Sequence, residues 1–493
     1  MGKSFNLKKI FYIFLIVHLL LWSGIALLRP ILPIDASECV YWGSLLDLGT
    51  NKHPPLAAWI AHFVHTMTGK CDFAVYFLGQ AFIVLGFFYI YKFAKLFLDE
   101  TKAILSVMIL ETCYVYSYCT IYDGFNPNFV IAGLFPIIVY NFYKAVNGGK
   151  LQYWLIVGIV SGLSLLAKYQ SVMLLIPLFC YIIFTKNGRK QLKSYGCYLA
   201  GLIALLLFLP HIIWLIKTGM FSLRYFVLSE DKYSDYFNTN WKYLFSPLLF
   251  LFRQFLTLLG VFFVYFTAML VSRSPIKINT NLNDDALFLI YAGLFPVILQ
   301  ALPGLFNGAF MIPVWGFTLL FLFGVLLFYF FPMNINKKVI KYFLFWISLS
   351  AIIIATVLSI VYTTFRDISN LLPIKQVTST IKEKYYEETG KDLKYIGGFI
   401  EYSIPIAIYN DDLIPVLNCW KNENPWHKQE EVLKEGIFII DRSPEDLPIV
   451  VKSLFPSANI GNYKIKNFNV TIYNKFGRGK DYTLFYAIIS GKN

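Results

Sequence analysis

Charge is what this sequence has least of. Only 15% of its 493 residues are Asp, Glu, Lys or Arg, where a soluble globular chain carries about 25%. That deficit excludes a protein whose surface faces water throughout. Cysteine is sparse as well. The seven are scattered, with no C-x-x-C pair, so neither a metal cluster nor a disulfide framework is indicated. Cys39 and Cys71 share one stretch and leave room for a single bridge. No internal repeat and no low-complexity segment is found. The long apolar stretches also lack the polar face of a soluble amphipathic helix, which argues against a large soluble protein with buried helices.

What the chain has instead is apolar surface: 57% hydrophobic and 18% aromatic residues, with a mean hydropathy of +0.58. The apolar residues come in blocks of about 20, long enough to cross a hydrocarbon core of about 30 Å. The reading is an α-helical polytopic membrane protein with about eleven spans, at 8–28, 73–97, 103–121, 129–145, 151–167, 171–185, 197–216, 245–271, 286–303, 309–331 and 340–364. The run at 171–185 is short, so 151–185 could be bent or re-entrant. Basic residues precede the first apolar run, but no small-x-small cleavage site follows, which predicts an uncleaved first span.

The net charge of +14 points to membrane loops rather than to nucleic acid. Lys3, Lys8 and Lys9 precede the first span. Alternate loops then carry Lys92, Lys95 and Lys102; Lys144 and Lys150; Lys186, Arg189, Lys190 and Lys193; Arg273 and Lys277; Lys337, Lys338 and Lys341. The opposite loops at 123–128 and 303–308 have neither Lys nor Arg. The excess of basic residues in cytoplasmic loops places the N-terminus inside and, with an odd number of spans, the C-terminus outside.

The predicted division is a membrane domain over 1–365, with long outer loops at 29–72 and 217–244, and a small outer α/β domain over 366–493. In that tail, β-like runs at Tyr395–Ile400, Ile404–Ile408, Ile437–Ile440, Val470–Tyr473 and Leu484–Ile489 alternate with helical stretches near 374–389 and 427–434.

The first outer loop is the most informative. Asp35 and Glu38 are three apart, so a helix starting near Asp35 would carry both carboxylates on one face near its positive end. Asp35 would then be either that helix's N-cap or a general base for an acceptor hydroxyl. His53-Pro54-Pro55 is a stiff element in which Lys52 and His53 could face a phosphate or solvent. Lys168 ends the apolar run 151–167, where it would either snorkel to headgroups or meet a lipid-linked phosphate. Asp123 and Asn128 lie in the loop before the fourth span. Arg224, Glu230, Asp231 and Lys232 lie in the second long loop. Glu111, Arg253 and Gln254 fall inside predicted spans, where polar groups face protein or a cavity.

The order of these elements resembles the GT-C glycosyltransferases. Within them it is similar to the bacterial family-39-type enzymes that use polyprenyl-phosphate sugars, including the transferases that add amino sugars such as aminoarabinose to lipid A. Four patterns carry the resemblance: Asp35-x-x-Glu38-x-x-Tyr41-Trp42; His53-Pro54-Pro55 with Trp59; Gly162-Leu-x-Leu-Leu-Ala-Lys168-Tyr169 ahead of Pro177; and, in the tail, Ile404–Asn410 with Asn424-Pro425-Trp426. Two features depart from it. Asn126-Pro127-Asn128 stands where many relatives have Thr-Pro-Asp, so either Asp123 takes that role or the role is not ionic. Phe310-Met-Ile-Pro313-Val-Trp315 reorders a His/Asn-Trp-Pro sequence.

The resemblance implies single-sugar transfer from a polyprenyl phosphate on the periplasmic face of the bacterial inner membrane. The acceptor would be lipid A or a related envelope glycolipid. Asp35, with Glu38, is the expected catalytic group. His53, Lys168, Arg224 and Lys232 are expected at the donor phosphate, and Tyr41, Asp123, Asn128 and Tyr169 in accessory or acceptor roles. The reaction would be one inverting displacement; a divalent ion could assist, though no clear ligand set is visible. Asp35 and Lys168 are then expected over one cavity. A protein O-mannosyltransferase is the alternative enzyme. A lipid-linked-sugar flippase is the alternative without chemistry, and it should show broken helices and matching halves.

Overall fold

The computed structural model describes residues 6–117, 123–224, 241–307, 313–364, 372–410, 412–418, 426–456, 463–473 and 477–490. The predicted run at 217–244 is therefore described only as far as Arg224 and from Trp241 onward. Lys232, Asn424, Pro425 and residues 310–312 lie outside the described residues.

The chain is mostly helical. Among the described residues, six helices are long and apolar enough to cross a membrane: Leu7–Ala26, Asp72–Ala94, Pro127–Gly148, Tyr195–Lys217, Asp284–Phe306 and Lys337–Thr363. Two bent pairs raise the number to eight: Lys242–Thr257 with Leu259–Ser272, bent by 54°, and Pro313–Leu319 with Phe323–Phe330, bent by 58°. Leu151–Ala167 and Tyr169–Phe184 are shorter apolar helices. They flank Lys168, whose extended backbone (φ −157°, ψ 136°) separates them, so the expected bend in 151–185 falls at that residue.

The chain divides into two compact units. The first comprises Met1–Gly24, Leu46–Ile60 and Tyr76–Thr356; the second comprises Ile25–Leu45, Ala61–Val75 and Val357–Asn493.

In the first unit, the run predicted as one span at 103–121 is not one helix. An α-helix covers Glu100–Met108, and two 3₁₀ turns follow at Ile109–Thr112 and Tyr114–Tyr116. Irregular backbone survives at membrane depth only where protein covers it, and Ile109 to Cys113, Val115 and Tyr116 are all buried. The Cys113 thiol donates to the Thr257 carbonyl at 3.1 Å. Within the first of these turns, Glu111 accepts from the His18 ring at 2.6 Å and from the Trp22 indole at 2.8 Å. This intramembrane carboxylate is thus occupied by the N-terminal helix.

Close packing explains the small residues nearby. A β-carbon on Gly324 would overlap the Ser106 carbonyl oxygen, so the helices Glu100–Met108 and Phe323–Phe330 touch backbone to backbone there, as small residues permit. We expect Gly324→Ala to destabilise the protein by about 2 kcal/mol or more, measured as a lower melting temperature in detergent. An unchanged melt would mean that the two helices have room to part.

The second unit holds a five-stranded sheet of β1 (Ile396–Gly398), β2 (Val416–Asn418), β3 (Gly436–Asp441), β4 (Ile465–Tyr473) and β5 (Gly479–Ser490), in the order β2-β1-β3-β5-β4. The first three are parallel; β5 pairs antiparallel with both β3 and β4. Every residue of β3 is buried, as expected for a strand covered on both faces. Leu447, Val451 and Leu454 of the helix Asp446–Leu454 pack with Ile437, Ile439 and Ile489.

One predicted strand is wrong: Ile404–Ile408 lies within the helix Ile400–Tyr409. Its alternating isoleucines suggested a period of two, but Tyr402 to Ile408 are all buried, so the alternation marks no face. The topology decides the matter. β1 and β2 are parallel neighbours, and a parallel pair needs a crossover, usually helical.

The disulfide does not form: Cys39 is buried, Cys71 is exposed, and no bridge joins them.

Candidate functional site

In the first unit the polar groups gather at helix ends. Asn126 caps the helix Pro127–Gly148, its Oδ1 accepting the Asn128 N–H at 2.9 Å, and Pro127 takes the first helical position, where no N–H is needed. Asn126 Nδ2 donates to Asp123 Oδ2 at 3.0 Å. That cap leaves the buried Asn128 side chain to accept a hydrogen bond from Lys168 Nζ. Lys168 thus reaches the first turn of the neighbouring helix.

The turn Thr50–His53 faces the same lysine. Thr50 ties it together: its Oγ1 donates to the His53 carbonyl at 2.9 Å and accepts the His53 N–H at 2.9 Å. His53 is partly exposed, yet its imidazole is held well below its ordinary value, first by burial and then by the charges of Lys168 and Lys52. His53 is therefore uncharged at neutral pH, and the cations beside it are Lys168 and Lys52.

This has a consequence for stability. Below about pH 6.5 the unfolded chain protonates this imidazole while the folded chain does not. Stability present above that pH is lost as pH falls toward the depressed folded value. We expect the melting temperature to drop between roughly pH 7.5 and 5.5, and to drop less in His53→Gln. Equal slopes in the two proteins would exclude His53 as the source.

Two further residues fasten this turn, and the sequence reading missed both. Ser222 Oγ donates to the Thr50 carbonyl, which places the exposed Arg224 two positions beyond an anchor of the same loop. His211 Nδ1 meets the Leu48 carbonyl at 2.6 Å, and its Nε2 meets the Tyr169 hydroxyl at 2.8 Å. A carbonyl only accepts, so Nδ1 carries the proton and Nε2 accepts from Tyr169. A histidine inside the apolar run 195–217 was the available signal. Gln170 Nε2 donates to the Trp315 carbonyl, and Gln254 Nε2 to the Pro313 carbonyl at 3.0 Å. The intramembrane Gln254 thus holds the turn at 313–315.

Asp35, Glu38 and Tyr41 belong to the second unit, on the helix Ile34–Ser44. Asp35 is not the N-cap. Pro33 holds that position with no side-chain cap, and Asp35 lies in the first helical turn, where the helix dipole favours a carboxylate. Asp35 is partly exposed, and Glu38 is buried on the same side one turn later. Tyr41 is fully buried, and its hydroxyl accepts the Val416 N–H at 2.7 Å. Burial raises this phenol far above its usual value, so it stays neutral.

Among the described residues, no three His, Cys, Asp or Glu side chains cluster so as to hold a metal ion. A cavity of about 500 Å³ in the second unit, walled by Tyr395, Asn410, Ile414 and Pro415 among others, includes none of these candidates.

The whole chain is similar to the crystal structure of ArnT from Cupriavidus metallidurans in the apo state, with a TM-score of 0.59, 10% identity and 99% of each chain covered. This is the GT-C fold. Residues 52–214 match the family described as dolichyl-phosphate-mannose-protein mannosyltransferase. The matched stretch contains His53, Asp123, Asn128, Lys168, Tyr169 and His211, while Asp35 precedes it. Two sequence relatives are the lipopolysaccharide core galacturonosyltransferases RgtA and RgtB of Rhizobium johnstonii. RgtA is 23% identical over 193 residues, covering 38% of each protein, and RgtB is 24% identical over 215 residues, covering 43% of each. The chain thus matches less than half the length of either relative.

Proposed function

We propose that this protein is a membrane glycosyltransferase that moves one sugar from a polyprenyl phosphate, such as undecaprenyl phosphate, to lipid A or a related envelope glycolipid. The observation that carries the reading is Lys168. It is set in a break between two apolar helices, fixed to Asn128 and electrostatically coupled to His53, inside the region that matches the mannosyltransferase family. An ammonium beside a neutral imidazole suits a phosphate monoester leaving group, which needs charge offset without nucleotide recognition.

In this reading the acceptor hydroxyl oxygen attacks the anomeric carbon from the face opposite the carrier. The bond from that carbon to the phosphate oxygen breaks, and the polyprenyl phosphate leaves. The hydroxyl proton passes to Asp35. Lys168 balances the charge that develops on the leaving phosphate, with Arg224 and Lys232 of the second long loop assisting. Glu38 shares the catalytic role with Asp35, His53 joins Lys168 at the donor phosphate, and Tyr41, Asp123, Asn128 and Tyr169 take accessory or acceptor roles. The chain crosses the bacterial inner membrane about eleven times, with the N-terminus cytoplasmic and residues 366–493 as a periplasmic domain. The distribution of basic loops supports that orientation.

The relatives named for lipopolysaccharide core favour a glycolipid acceptor. The mannosyltransferase family match favours a protein hydroxyl as the second reading. Purified protein given undecaprenyl-phosphate sugar and lipid A should release undecaprenyl phosphate and yield a heavier lipid A by mass spectrometry. Release only with a protein acceptor would move the assignment to protein glycosylation. No release with any acceptor, but sugar-lipid crossing vesicles, would make the protein a flippase.

A further inference from the structure

The helix Ile34–Ser44 begins without an ordinary cap, since Pro33 offers neither a side-chain acceptor nor an N–H. Its entry is held from elsewhere in the second unit. The Tyr409 hydroxyl accepts the Leu32 backbone N–H at 2.9 Å and donates its own proton to Asp72 Oδ2 at 2.5 Å. The other side of the same residue is also engaged: the Leu32 carbonyl accepts Ser37 Oγ at 3.1 Å. Leu32 is thus gripped through both backbone polar groups, three positions before Asp35.

Asp72 is itself restrained. His65 Nε2 stands 3.5 Å from Asp72 Oδ1, and the neighbouring Lys70 Nζ donates to the Asn410 carbonyl at 2.7 Å. The far end of the helix is pinned to the same domain, through the Tyr41 hydroxyl on the Val416 N–H and through Trp42 against Trp426, with ring centroids 4.6 Å apart. The Tyr409–Asp72 bond is strong in context, because a tyrosine that both accepts and donates is fixed in rotation, and a charged acceptor shortens its hydrogen bond.

We propose that Tyr409 is a positioning residue for glycosyl transfer: through Leu32 it sets the pose of the helix that presents Asp35. The proposal rests on the reading of Asp35 as the proton acceptor given above. Its chemistry is geometric. A carboxylate displaced by about 1 Å from the acceptor hydroxyl can lose on the order of 100-fold in rate, while substrate binding made by other groups is unaffected. Tyr409 itself touches no reacting atom in this scheme.

Tyr409→Phe deletes one oxygen and keeps the ring. The control is Tyr402→Phe, on the same helix, Ile400–Tyr409. The Tyr402 hydroxyl pairs with that of Tyr482 at 2.9 Å and has no bond to the Asp35 helix. With full-length protein in detergent and the donor and acceptor that support turnover, we expect Tyr409→Phe to lower kcat at least about tenfold, with KM for the sugar-lipid donor unchanged within about twofold. Tyr402→Phe should retain the wild-type kcat, and Tyr409→Phe should stay folded while melting lower, because a polar group orphaned by the lost hydroxyl costs stability.

Three results would overturn the proposal: a Tyr409→Phe kcat within twofold of wild type, an equal loss in Tyr402→Phe, or a loss expressed wholly in KM. Asp35→Asn is measured in parallel to separate the two claims. Undiminished transfer in Asp35→Asn removes the reading of Asp35, and with it the role given to Tyr409. A disabled Asp35→Asn beside a fully active Tyr409→Phe removes the role of Tyr409 alone.

Discussion

Lys168→Met is expected to cut kcat/KM by roughly 100- to 1,000-fold, the scale seen when one preorganised charge or donor is withdrawn from a developing anion. Methionine keeps the apolar stem and removes the ammonium, so packing at the helix break is little disturbed. The partner left behind is Asn128, a buried amide whose oxygen then lacks the Lys168 donor, at a cost of about 1–3 kcal/mol of stability. A melting curve separates this cost from the catalytic one. Lys168→Arg keeps the charge but replaces a compact ammonium with a planar fork, and should recover only part of the rate. If Lys168 merely snorkels to headgroups, Lys168→Met will turn over normally, and the donor-phosphate assignment fails.

Asp35→Asn should cost roughly 100- to 10,000-fold in kcat, the range for loss of a general base, with KM for the carrier-linked sugar little changed. The substitution is nearly isosteric and sits in a first helical turn whose cap position belongs to Pro33. No cap hydrogen bond of the helix is lost, which makes it a cleaner probe than it would be at a true N-cap. Losing a favourable carboxylate–dipole contact costs only about 0.3–1 kcal/mol. The checks are steady-state kinetics with purified protein and the pH dependence of kcat. A rate within a few-fold of wild type, with normal folding, removes Asp35 from the chemistry.

Much of the membrane part was legible because a long apolar run has few alternatives. The helices Leu7–Ala26, Pro127–Gly148 and Tyr195–Lys217 begin and end within a few residues of the runs that announced them. The break after Met108 was not legible. Its cause is the fit of residues 109–116 against distant segments, such as the Cys113 contact with Thr257, and nothing local marks it. The same holds for Ile400–Tyr409, where the alternation of isoleucines pointed to a strand and the parallel pairing of β1 and β2 required a crossover.

The candidate site divides in a similar way. Lys168, His53 and Asn128 could be named from their positions at span ends and in loops. Their mutual contacts could not, because they join turns far apart in sequence. Thr50, Ser222 and His211 were missed for the same reason: a serine shortly after a helix end, or a histidine within a span, acquires meaning only once the partner carbonyls of Thr50 and Leu48 are in place. Asp35 was placed correctly at the start of a helix, and of its two readings the N-cap falls away, since the proline before Ile34 takes the cap position.

The carboxylate at Glu111 has a bearing on how the chain is made. Its partner His18 emerges from the ribosome 93 residues earlier, which at roughly 5–20 residues per second is an interval of several seconds or more. Throughout that time the first helix carries an imidazole and an indole N–H with no acid to receive them, in a setting where unsatisfied polar groups are costly. Biogenesis therefore has reason to keep the N-terminal segment beside the insertion machinery until Glu111 is delivered. A ribosome stalled before codon 111 would hold a helix that has not yet found its place.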